Sequence, residues 1–186
     1  TVDKELTDVW DFGQFVSDSE NQSHHVSYAY HVPFGAYALT QSHEPTMAIA
    51  ADRSPWFDLS LSDADRSTRW TQFTPDMPDR ALNGTSDQAK KGNSLAHHDE
   101  GQNVLFMDSH VSFEKRSFVG IEDDNIYTKQ PQSGTPSPIM IAKGEAMPTG
   151  VSTLYDKLRN RRDAVLLNDD KTGGAGGGGG GGRGGR

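Results

Sequence analysis

The densest group of chemically capable side chains lies in SLAHHDEGQNVLFMDSHVSFEKR, from Ser94 to Arg116. His97, His98, Asp99, Asp108 and His110 are imidazole and carboxylate donors of the kind that bind zinc, manganese or iron. A metal-dependent hydrolase centred on His97, His98, Asp108 and His110 is therefore one reading. The spacing argues against it, because no HExxH is present and adjacent side chains such as His97, His98 and Asp99 project in different directions in a helix or a strand. Asp123-Asp124-Asn125 is a cluster of the kind that builds turns. Asp58, Asp63 and Asp65 could ligate calcium, but they lack the glycine and terminal glutamate of an EF-hand loop.

A structural reading uses more of the same residues. Asn103 to Met107 and His110 to Phe113 are β-prone runs around Asp108-Ser109, which describes a tight hairpin with Phe106 and Val111 buried. Ser109 is a poorer residue than glycine for the positive φ such a turn demands. Gly101 lets the chain enter the strand sharply. An upstream histidine, His97 or His98, then bonds to Asp108 or to a carbonyl and pins the hairpin.

The elements that must position these residues are modest. Only 33% of residues are hydrophobic, so the core is small and the loops are long. Val2, Leu6, Val9, Trp10 and Val16 follow a loose helical period. Val26 to Leu39 is aromatic and β-prone but broken at Pro33 and Gly35, and Met47 to Ala51 reads as a further strand. Asp58 to Asn93 reads as a long irregular segment with Trp70 and Phe73 as anchors. Residues 1–129 form the expected β-rich head, 130–150 a Pro/Gly-rich linker, and 151–170 an amphipathic helix exposing Arg159, Arg161 and Arg162. Residues 171–186 are a Gly-rich flexible tail. The fold class is α+β, with a small, mostly antiparallel sheet.

Composition removes several function classes. The net charge of −8 argues against a nucleic-acid surface, and the tail's Arg183 and Arg186 are too few to reverse that. Cysteine is absent, which excludes disulfides, thiolate nucleophiles and Cys-ligated zinc. No apolar run approaches the length needed to span a bilayer.

The pattern NS-x-x-H-x-x-x-GQNVLF-x-D-x-HV-x-F resembles the C-terminal signature of the prepilin-type H-X9-DG (DUF1559) family of planctomycete type. His98 stands nine residues before Asp108, whereas His97 matches the variant with three residues before Gly101, so both fit. Ser109 replaces the family's usual glycine. DNIYT (Asp124 to Thr128), ADRSPWFD (Ala51 to Asp58) and SYAYHVPFGAY (Ser27 to Tyr37) resemble further family segments, while a Cys-Pro-Ser near Val16 to Asp18 is missing. The resemblance covers roughly residues 15–128.

It implies a pilin-like head, a hydrophobic assembly helix or anchor ahead of this chain, and a place in the cell envelope or outside the cell. The partners implied are copies of itself or other pilin-like subunits, with membrane contact only through that anchor. No enzymatic activity and no cofactor are expected. Calcium at Asp123, Asp124 and Asn125 is the one cation the resemblance brings in, because pseudopilins can hold calcium in C-terminal loops.

Overall fold

The computed structural model describes residues 27–31, 36–58, 60–148 and 158–168. The elements run β1 (Tyr28–His31), β2 (Ala48–Asp52), α1 (Asp63–Gln72), β3 (Asp76–Met77), β4 (Leu82–Asn83), α2 (Ser86–Lys90), β5 (Gln102–Phe106), β6 (Val111–Glu114), α3 (Pro138–Ala142) and β7 (Leu166–Leu167). This is an α+β arrangement around an antiparallel five-stranded sheet of order β6-β5-β2-β1-β7, with β3 and β4 as a separate ribbon.

Period-two alternation decides which face of the sheet is covered. Ala29, Ala51 and Val104 are cross-strand neighbours and all are buried. Their small or β-branched side chains let Trp56, Phe73, Ile126 and Tyr127, each under 2% exposed, fill the layer above. Trp56 meets Trp70 edge to face at 5.1 Å between ring centroids, and Phe73 closes the group at 6.0 Å from Trp56. Lys143, following α3, donates to the Phe73 carbonyl at 2.6 Å and stands 5.0 Å over Trp70. Burying each such large side chain contributes about 1.5–3 kcal/mol.

Asp58 to Asn93, expected as irregular, holds two helices. Ser62 caps α1 by accepting from Asp65 N–H at 3.1 Å while the Asp65 carboxylate accepts back from the Ser62 backbone, a capping box. Thr85 and Gln88 do the same for α2. The helix residues are polar because α1 turns Arg66 and Arg69, rather than aliphatic side chains, into the protein.

The expected C-terminal helix is corrected over its described part. Residues 158–165 are irregular and Leu166–Leu167 join the sheet beside β1, with Ala164, Val165 and Leu166 fully buried. A continuous apolar run with a β-branched member packs as a buried strand, and it overrides the looser 3.6-residue period. Residues 151–157 and 169–186 lie outside the described residues, as do 1–26, with the helical period and tail expected there. The segment expected as a linker also packs: Gln130 and Ala142 are buried, and Gly144 sits against Thr128 too closely for a Cβ.

The hairpin forms, with its turn and one side chain different from expectation. Leu105 pairs with Val111, leaving a longer connection than Asp108-Ser109 alone. Ser109 N–H donates to the Phe106 carbonyl at 2.9 Å and Phe106 N–H to the His110 carbonyl at 3.0 Å. With Ser109 at φ 72°, this is a type I turn closed by a bulge residue in the left-handed region. The Asp-Gly of the resembling family would serve that geometry, and Ser109 occupies it here without glycine's freedom. Phe106 is buried, but Val111 is 64% exposed, because β6 is the outermost strand among the described residues and turns Val111 away from the core face.

Candidate functional site

Asp52, the last residue of β2, gathers the chemistry-bearing segments at one end of the sheet. Its Oδ2 accepts from the Asn103 backbone N–H at 2.6 Å and the Asn103 amide at 3.2 Å. His97 Nε2 lies 3.2 Å from the same oxygen and 3.1 Å from Asn103 Nδ2. With a proton on Nε2 the ring donates to the carboxylate; without one it accepts from the amide. The backbone carbonyl of Asp52 accepts from Tyr127 Oη at 2.9 Å, and Tyr28 sits opposite Asp52 in the sheet. Burial pushes the Tyr127 phenol well above its usual pKa, so it stays a donor.

The loop that delivers His97 is held from beneath. Arg69 of α1 forks onto Asp99 at 2.8 and 3.1 Å and donates to the Asn93 carbonyl at 3.0 Å. Asn93 in turn donates to the Asp99 and Lys115 carbonyls at 2.8 and 2.9 Å. Gln102 accepts from Ser94 N–H at 3.2 Å and donates to the Glu114 and Arg116 carbonyls at 3.0 and 2.7 Å. His98 and Asp99 take left-handed backbone, at φ 52° and 67°, which turns His98 outward and His97 toward Asp52. The Phe113 ring meets His97 edge to face at 5.4 Å. Gly101 lies where a Cβ would come 2.4 Å from the Glu114 carbonyl oxygen, so close approach of β6, rather than a sharp entry, explains that glycine.

The structure brings His97 into contact and separates the other expected ligands from it. Asp108 bonds to His110, both at the exposed hairpin tip, and His110 holds the Asp108 carboxyl below the usual carboxylate range. The tip is anchored by Met107 N–H to the Met47 carbonyl at 2.9 Å and Asp108 N–H to the Pro45 carbonyl at 3.2 Å. Asn103, beside His97, and Asp108 are separated by roughly 15 Å along the hairpin, at ~3.3 Å per residue. The expected bond from a motif histidine to Asp108 is thus replaced by His97 to Asp52. Of the two histidines, His97 makes the internal contacts.

Asp123, Asp124 and Asn125 diverge. Asp123 pairs with Arg80 at 2.6 Å on the surface. Asp124 is buried and accepts from the Gln130 amide and Ala164 N–H, both at 2.7 Å. Asn125 donates to the Ala142 carbonyl at 3.1 Å and accepts from Tyr127 N–H at 3.0 Å. Among the described residues no group of three or more His, Asp and Glu is placed to hold a metal ion.

A buried acid pair went unread in the sequence. Asp163 accepts from Arg159 N–H at 2.7 Å and Gln130 N–H at 3.3 Å, so Gln130 bridges it to Asp124. Burial raises both carboxyls, Asp163 to about 6 and Asp124 well above the usual range, with the Asp163 charge adding to the Asp124 shift. The pair clips residues 159–164 to the loop after β6. Nothing short-range in the sequence links two aspartates this far apart.

No family model matches this chain, and no curated protein or solved structure shows significant similarity to it.

Proposed function

We propose that this chain is a non-enzymatic, pilin-like or pseudopilin-like structural or assembly protein of the cell envelope or an extracellular filament. One observation supports the reading most: the four sequence segments that resemble the H-X9-DG family meet at Asp52. Tyr28, Asp52, His97 with Asn103, and Tyr127 come one from each segment. Within the signature, the Asn93 amide nitrogen, Ser94, Gln102 and Asn103 bond to neighbouring backbone or to Asp52. Such residues specify an architecture; a hydrolytic centre needs donors converging on open space. The sheet and its long, well-tied loops suit a head carried by a separate assembly element.

The test is the location of the native protein. Fractionation of the source cells, read with an antibody against this chain, is expected to place it in the envelope or the medium. A purely cytosolic product would overturn the reading, as would metal-dependent hydrolysis abolished by His97→Ala.

A further inference from the structure

β6 borders the sheet, with β5 on one side and no strand on the other among the described residues. In an antiparallel pair, residues alternate between turning their backbone groups toward the partner strand and away from it. Phe106 N–H donates to the His110 carbonyl at 3.0 Å, and the register continues with Val104 opposite Ser112 and Gln102 opposite Glu114. His110, Ser112 and Glu114 therefore face β5, while Val111 and Phe113 turn their N–H and C=O groups outward. No described residue bonds to those groups. The side chains of Val111 and Phe113 are 64% and 46% exposed. They continue an outer sheet face that runs from Tyr30 through Ala50 and Leu105 to Val111. Edge strands in natural proteins are commonly blunted by proline, charged side chains or a bulge; Val111–Glu114 has no proline or bulge, and its one charge, Glu114, stands at its end.

We propose that this edge is an interaction surface for β6 of a second copy of this chain, paired antiparallel about a two-fold axis at Ser112. The choice of occupant rests on the assembly reading above; the register follows from β6 itself. Centring on Ser112 sets Val111 opposite the partner's Phe113, so all the outward backbone groups of both strands bond each other. The same register puts Val111 and the partner's Phe113 side by side on the outer face. It also sets His110 opposite the partner's Glu114 and Ser109 opposite the partner's Lys115, while Arg116 is already paired with Asp76 of its own chain. The order of the exposed charges, Asp108 before the strand and Lys115 after it, is thus complementary to its own reverse. A two-fold contact of this kind is closed, so it makes dimers rather than fibres.

The test uses the full chain at about 0.3 M salt, which screens the repulsion between two chains of net charge −8. Sedimentation velocity over a concentration series is combined with amide hydrogen exchange. A dimer is expected, in which the Val111 and Phe113 amides exchange at least tenfold more slowly than in dilute solution, while Ser112 is protected throughout. Val111→Pro removes an outward N–H, and Val111→Lys keeps the backbone but charges the edge; each should weaken dimerisation at least tenfold without unfolding the hairpin. A monomer at every concentration overturns the proposal, and so does a dimer undiminished in both variants. Val111 and Phe113 amides equally protected in the dilute monomer also overturn it, because another part of the same chain would then cover the edge. Assembly that persists while β6 exchanges freely refutes this surface and leaves the proposed function standing.

Discussion

His97 Nε2 stands 3.2 Å from Asp52 Oδ2, joining a histidine on the loop before β5 to the carboxylate that ends β2. The contact crosses between chain segments that are distant in sequence, and it sits over the bond from Asn103 N–H to the same oxygen. The Asp52 side chain is 10% exposed and that of His97 41%, so the carboxylate is anchored inside while the imidazole forms its outer cover. The pair is a latch on the sheet's end.

Tyr127→Phe removes the one side-chain donor to the Asp52 carbonyl among the described residues and leaves that buried acceptor without it. The expected loss is about 1–2 kcal/mol in urea unfolding. A variant as stable as the parent would show that the hydroxyl is not part of the latch.

Ser109→Gly relieves a left-handed backbone, at φ 72°, at the hairpin turn. Relief of roughly 1 kcal/mol, partly offset by glycine's greater unfolded freedom, predicts a slightly higher melting temperature. A lower one would mean that the Ser109 side chain contributes something the geometry does not reveal.

Gly101→Ala should destabilise strongly, since the new Cβ would stand 2.4 Å from the Glu114 carbonyl oxygen and 2.8 Å from the Phe113 ring. The ring can swing away; the carbonyl cannot without breaking β5–β6 pairing. A cost above about 2 kcal/mol is expected, as for other overpacked sites. Calorimetry of the two proteins decides it.

Stability should fall as pH rises from about 4 toward neutrality. Burial raises Asp163 to about 6 from 3.8, so between those values the folded state binds more protons than the unfolded one. Folding is therefore favoured below 3.8 and loses that contribution as pH passes through about 6, by order 2–3 kcal/mol for this one group. Asp124 is raised as well and reinforces the trend. Asp108 runs the other way, its contribution being lost only as pH falls below 3.8. Urea melts at pH 4.5, 6 and 7.5 should show the decline, and Asp163→Asn should flatten it.

The hairpin was legible in the sequence because two β-prone runs flank a polar turn, and nearby residues settle such a pairing. The turn's extra residues were not, since Leu105 pairing with Val111 depends on the bulge at Ser109. Both capping boxes were written at Ser62-Asp65 and Thr85-Gln88 but hidden by the polarity of the segment around them. The exposure of Val111 depends on β6 being the outermost strand, which is a property of sheet order and not of β6. Likewise Asp52, near the start of ADRSPWFD, reads from sequence as the polar end of a strand. Its place in the site exists only once β2 lies between β1 and β5. The short apolar run from Ala164 to Leu167 has both helical and strand readings, and β1 supplied the edge that chose between them.

The most direct measurement is a double-mutant cycle in urea between Asp52→Ala and His97→Ala, run with and without chelator. A structural latch predicts that the two changes couple by about 0.5–1 kcal/mol, reduced by the exposure of His97, and that chelator leaves the coupling unchanged. Additive effects, or a coupling that appears only when metal is bound, would contradict it.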